Sequence, residues 1–212
     1  MKIRCLCEHK FEVQPIVKLD LDKTPEYLDK IKNGTFNSFK CPKCGYELRA
    51  ESKTEIIWKS KSATLVFIPE NKRIYGLSIS AGEDEKNETE NKKFKFDKNT
   101  PLVIGYSELA DRINVLDANL DPKGIEVVKF IALQNAGPVD KKNLSIFFKQ
   151  LKNDKLEFFV SGLKKDEVAV IKIPKKIYDE ILNDNKNNEL FSAVSIGNYI
   201  SYKNIYMEGS SG

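Results

Sequence analysis

The chain carries one histidine, His9, in 212 residues. A Ser-His-Asp or Cys-His catalytic unit would have to be built around that single side chain, and a metal centre made of several histidines is excluded. Glycine-rich phosphate loops are missing too: there is no Walker-type segment, and Gly76 and Gly105 stand alone with no Gly-x-Gly-x-x-Gly series. No apolar run approaches the ~20 residues that a membrane helix needs. Met1-Lys2-Ile3-Arg4 runs into the first cysteine without an apolar leader. The expected compartment is therefore the cytoplasm, with no membrane partner. A large excess of one charge is also lacking: 35 Lys and Arg face 31 Asp and Glu, a net charge of +4. That mild basicity describes an ordinary solvated surface rather than a nucleic-acid-binding tail.

What is present begins with apolar material. Hydrophobic residues make up 41% of the chain, with 12 Phe and 8 Tyr, enough for a packed core. The four cysteines fall into two tight pairs, Cys5-Leu6-Cys7 and Cys41-Pro42-Lys43-Cys44, the second followed by Gly45. Cys-x-x-Cys-Gly is the shape of a zinc knuckle, a turn in which two thiolates converge and backbone N–H groups point at the sulfurs. Two pairs supply four thiolates, the complete set for a closed tetrahedral Zn²⁺ site at Cys5, Cys7, Cys41 and Cys44. A site closed in this way has no open position for water or substrate, so its role is to hold the fold. A thioredoxin-type dithiol at Cys41 and Cys44 is the competing reading, and four unligated thiols are a third. His9, two residues past Cys7, is either a turn residue, a replacement ligand or a hydrogen-bond donor to a thiolate.

Along the chain, residues 1–22 alternate as a strand pair. Thr24-Pro25 predicts a helix start, with Thr24 as the N-cap, and Asn33-Gly34 the stop. Residues 46–68 are β-branched and aromatic and end at Pro69, and a further strand is expected over 73–80. The polar stretch 82–99 reads as a surface loop. Helices are expected over 105–116 and 121–136, the second capped by Asp121-Pro122. Ala136-Gly137-Pro138 marks a boundary. Beyond it come two strands around Asn153-Asp154-Lys155, a third strand over 168–173, a short amphipathic helix over 175–183 and a last strand over 199–206. The expected class is α+β: a zinc-stapled, β-rich domain over 1–136, a smaller α+β unit over 139–207, and a tail at 208–212.

Other chemistry is thin. Glu108, Asp111 and Glu126 are expected on solvated helix faces. Lys40, Lys43, Arg49, Lys53, Lys59 and Lys61 lie near Tyr46 and Trp58, a basic and aromatic mix that suits single-strand stacking, although Glu47, Glu51 and Glu55 dilute it.

Three segments together resemble the CpXC family of bacterial proteins: Cys5-x-Cys7, the run from Asn37 through Cys41-Pro42-x-Cys44-Gly45, and Leu102-Val103-Ile104-Gly105-Tyr106-Ser107-Glu108-Leu109. The helix around Gly124-Ile125-Glu126-Val127-Val128-Lys129 adds to the likeness, which spans roughly residues 3–135. One departure is Glu8, which stands where a glycine commonly follows the first pair. The resemblance implies a zinc-ribbon-like module with Cys5, Cys7, Cys41 and Cys44 as ligands, and it implies no activity. The leading expectation is a non-enzymatic module that binds a macromolecular partner, protein or nucleic acid. The alternatives are an enzyme using carboxylates between the two halves, and a thiol-based redox or metal sensor.

Overall fold

The computed structural model describes residues 1–82, 99–135, 144–164, 167–184 and 188–208. Its architecture is α+β, as expected. Strands β1 (Lys2–Arg4) and β2 (Lys10–Glu12) form an antiparallel hairpin. A second hairpin joins β4 (Ser38–Lys40) to β5 (Glu47–Arg49). Between them run β3 (Lys18–Asp20) and helix α1 (Glu26–Lys32). Thr24 does not cap α1. Its hydroxyl turns back to the Asp20 carbonyl, Pro25 takes the cap position, and the helix starts one residue later than expected.

The centre of the molecule is a mixed six-stranded sheet. It contains β3, β6 (Thr54–Trp58), β7 (Ala63–Ile68), β8 (Leu102–Ile104), β12 (Ser195–Ile196) and β13 (Tyr199–Ile200), in the order β12-β13-β8-β7-β6-β3. Strand residues alternate between faces, so a run that is apolar throughout must be buried on both. That is the case here. Leu65, Phe67 and Val103 face a core shared with Ile31 of α1 and Leu109 and Ile113 of α3 (Tyr106–Asp117). Val66, Ile68, Leu102 and Ile104 face the opposite way, towards Leu77 of α2 (Arg73–Ala81).

The segment 73–80, expected as a strand, is this helix α2. Its alternating apolar residues suggested a strand, but Pro69 and a 3₁₀ turn at Glu70–Lys72 steer the chain back over the sheet. Gly76 lets the helix lie close, since a Cβ there would stand 2.3 Å from the Ile68 Cδ1. Packing on the sheet outweighs a local pattern of this length. The expected loop over 82–99 and the boundary at 136–138 fall almost wholly outside the described residues.

Helix α4 (Pro122–Gln134) follows α3, and Asp121 caps it as expected, accepting from the Gly124 N–H at 2.6 Å. Strands β9 (Ser145–Lys152), β10 (Lys155–Ser161) and β11 (Val168–Pro174) make a three-stranded antiparallel sheet in the order β11-β10-β9. Cross-strand register sets its two faces. Phe148, Phe158 and Ile171 share the inner face with Ile146, Val160 and Ala169. This face is covered by α4 and by α5 (Lys175–Asn183). Phe147, Phe159 and Val170 share the outer face.

The chain then passes through α6 (Asn188–Ala193) and returns to the central sheet, where Tyr199 pairs in parallel with Leu102. The expected strand over 199–206 is two residues long and gives way to α7 (Asn204–Glu208). Gly197, at φ +54, makes the β12–β13 turn possible, because a Cβ there would meet the Ser80 carbonyl oxygen at 1.8 Å.

Candidate metal centre and charged cleft

The two cysteine pairs occupy equivalent turns at the ends of the two hairpins. At the first, the Cys5 N–H donates to the His9 carbonyl (2.9 Å) and the Glu8 N–H to the Cys5 carbonyl (2.8 Å). At the second, the Cys41 N–H donates to the Tyr46 carbonyl (2.8 Å) and the Gly45 N–H to the Cys41 carbonyl (2.9 Å). Glu8 (φ +66) and Gly45 (φ +73) hold the same left-handed conformation. Glu8 is therefore the counterpart of Gly45, adopting a shape that favours glycine, with its carboxylate 2.8 Å from the Arg4 guanidinium.

These turns bring all four thiols together. Cys5 Sγ lies 3.5 Å from Cys44 Sγ, and Cys7 Sγ lies 3.7 Å from Cys41 Sγ. All four sulfurs are within 4.8 Å of one another and could hold a metal ion. Cys5 and Cys41 are buried, Cys7 is half-buried and Cys44 is exposed. Burial pushes the Cys41 thiol up, but N–H donors from Cys44 and Lys43, with the neighbouring thiols, bring it down to about 7. Cys44 is pushed up to about 12 despite the Tyr46 N–H, because its neighbours compete for the same protons. His9 is not in the group; its ring stacks beside Phe11, with centroids 6.1 Å apart.

Asn37 ties this module to the sheet, a role that sequence reasoning missed although the residue opens the motif leading to Cys41. It is buried, at φ +54. Its side chain accepts from the Ile16 N–H (2.9 Å) and donates to the Ile16 carbonyl (3.1 Å), while its own carbonyl takes the Ala50 N–H (2.9 Å). Asn37→Ala leaves the Ile16 N–H without its acceptor and is expected to lower stability by about 1–3 kcal/mol. The shift of the urea midpoint checks this.

The carboxylates expected on solvated faces are not there: Asp111 and Glu126 are buried and Glu108 largely so. Lys129, 2% exposed, donates to Asp111 Oδ2 and Glu126 Oε1, both at 2.6 Å. The other oxygens take backbone protons, Asp111 from the Phe148 N–H and Glu126 from the Tyr202 N–H (2.9 Å). One charged cluster thus joins α3, α4, β9 and the turn before α7. A helical apolar stripe cannot announce this, because these residues are buried by elements distant in sequence.

Burial pushes the Asp111 carboxyl up to about 6 against the pull of Lys129. A raised carboxyl binds its proton more tightly in the folded state, so this group's contribution is present below the ordinary carboxylate value and lost as pH rises through about 6. Asp111→Asn removes the titrating carboxyl. The difference in urea midpoint between wild type and variant, measured from pH 4 to pH 7, should change through this window.

A cleft of about 360 Å³ opens beside the cluster, lined by Arg49, Glu51, Glu70, Arg73, Ser107, Glu108 and Lys203 among others. Arg73 bridges Glu70 (2.5 and 2.7 Å) and Glu108 (2.8 Å), and the Tyr199 hydroxyl donates to Glu108 at 3.0 Å. Burial raises the Glu108 carboxyl against the pull of Arg73, whereas hydrogen bonding from Arg73 lowers that of Glu70.

The basic and aromatic run after the second knuckle is dispersed. Trp58 is buried in the core. Lys61 lies over its ring and donates to the Asp117 carbonyl and to Asn119. The Arg49 guanidinium lies over Tyr106, 4.7 Å from the ring centroid. No helix among the described residues is long and apolar enough to cross a membrane.

Compared with known proteins, the chain matches no solved structure. It is 35% identical over 216 residues to a protein of Treponema pallidum (strain Nichols) described as uncharacterized, an alignment covering 98% of this chain and 99% of that one. Residues 3–129 match the CpXC protein family, a span that holds the four thiols, Asn37 and the three charged side chains Asp111, Glu126 and Lys129. The chain belongs to the CpXC family.

Proposed function

We propose that Cys5, Cys7, Cys41 and Cys44 bind one Zn²⁺ as a structural ion, and that the protein is a non-enzymatic, cytoplasmic module that presents its surface to a macromolecular partner. The observation that carries this is the sulfur geometry. A tetrahedral ion with Zn–S bonds of about 2.3 Å needs sulfurs about 3.8 Å apart; two of the pairs stand at 3.5 and 3.7 Å, and all four sulfurs lie within 4.8 Å of one another. Four thiolates are a soft and complete ligand set, so the ion has no vacant position for a reaction. Leu6 and Tyr46 project from the two turns, 78% and 52% exposed, and are the contacts a protein partner would bury. The carboxylate-enzyme reading rests on the cleft, but Glu70 and Glu108 are already engaged in ion pairs with Arg73 there.

The test is metal analysis of native, untagged protein, with thiol titration before and after a chelator. The expected result is about one zinc per chain and four thiols released on removal. Protein that holds no metal and carries a Cys41–Cys44 disulfide would overturn the structural reading in favour of a redox pair. Leu6→Ser with Tyr46→Ser should abolish capture of a protein partner from native lysate while zinc is retained.

A further inference from the structure

We propose that the outer face of the three-stranded sheet is a stacking platform for single-stranded nucleic acid, with the exposed Phe159 as its stacking ring and the half-buried Phe147 beside it. The thiol site plays no part in it.

The argument begins with register. Phe147 and Phe159 are direct cross-strand partners, and Phe159 is in turn paired with Val170. The three side chains form one row across β9, β10 and β11. The inner face of the same sheet packs against α4 and α5, whereas on the outer face Phe159 is 39% exposed and Val170 46%, with Phe147 half-buried beside them. An apolar and aromatic row with two of its members, Phe159 and Val170, left in solvent is an interaction surface.

Charge selects the partner. Further along this face, Glu157 pairs with Lys172, and Lys155 pairs with Lys152. A bulge at Glu157/Phe158 leaves Lys149 as the extra residue of β9, and its ammonium lies 5.3 Å from the Phe159 ring centroid. The face therefore carries four lysines and one acid. That acid is not free to repel an anion: Glu157 is buried, bonded to Gln150 (2.7 Å) and flanked by Lys172 (3.3 Å) and Lys149 (3.6 Å). Aromatic rings beside ammonium groups suit a strand whose bases are unpaired, since the rings take base faces and the lysines take phosphates. A duplex hides its base faces and would use the lysines alone.

The experiment is fluorescence anisotropy on the full native chain with a labelled oligothymidine of about 12 nucleotides, its oligouridine counterpart and a duplex of equal length, over a salt series. Both single strands should bind more tightly than the duplex. Phe159→Leu keeps apolar bulk and removes the aromatic face, and should weaken single-strand binding about tenfold, whereas Phe159→Trp should retain it. Val170→Glu, at an exposed position, should weaken binding with the circular dichroism spectrum unchanged. Lys149→Ala with Lys172→Ala should reduce the salt slope by about 1.4. The proposal is overturned if the wild type binds neither single strand at low salt, if the duplex binds as tightly, or if Phe159→Leu binds like the wild type. It is equally overturned if sedimentation shows a dimer that Phe159→Leu dissociates, because a second copy would then cover this face.

Discussion

Serine in place of Cys41 is expected to abolish binding of the proposed Zn²⁺ and release both hairpin turns while the six-stranded sheet stays folded. The hairpins have little else to hold them. Each is a two-stranded sheet with three residues per strand, a size that is marginal in water without further packing. No residue of β1, β2, β4 or β5 belongs to the three buried hydrophobic clusters. Structural zinc contributes roughly 10–16 kcal/mol in small peptides, far more than these strands gain by themselves. In Cys41→Ser, amide exchange should accelerate at Cys5, Glu8 and Gly45, whose N–H groups close the turns or lie on them. Amides of β7 and β8, at the centre of the sheet, should keep their protection. Full metal retention in this variant would remove Cys41 from the ligand set.

The second large effect is expected at Lys129. Lys129→Met deletes the one cation between two buried carboxylates and leaves Asp111 and Glu126 facing each other with their charges uncompensated. Breaking a buried pair from one side costs about 3–5 kcal/mol, a large share of the stability of a domain this size. A compensating variant separates charge from packing. Adding Asp111→Asn and Glu126→Gln to Lys129→Met removes both negative charges but keeps oxygen acceptors for the Phe148 and Tyr202 N–H groups. This triple variant should recover most of the loss. Replacing the two acids by leucine instead should not, because those two buried N–H groups would lose their acceptors. Urea midpoints of the four proteins settle the comparison.

Legibility in the sequence followed the range of the forces involved. The thiol group was legible because a Cys-x-x-Cys-Gly turn is a local device, and that turn together with the Cys5-x-Cys7 pair leaves few ways to use four sulfurs. The Asp121 cap and the Asn153-Asp154 turn were legible for the same reason: each is a contact between residues two or three apart. Helix α2 was not, since nothing within residues 73–80 records that Gly76 will rest against Ile68. Nor was the burial of Asp111, Glu126 and Lys129. Their helices show the expected apolar stripe, and what covers their charged edge is β9 and the turn at 201–203, far along the chain.

The sequence by itself determined the α+β class, the ligand-type residues Cys5, Cys7, Cys41 and Cys44 and the turns that carry them, because hydrogen bonds and backbone preferences over a few residues are sufficient for each. Only the tertiary structure decided which charges are buried, that the chain returns through Tyr199 to the central sheet, and that a half-buried Phe147 stands beside an exposed Phe159. Those outcomes depend on which surfaces meet, and burial is set by the partner surface rather than by the residue.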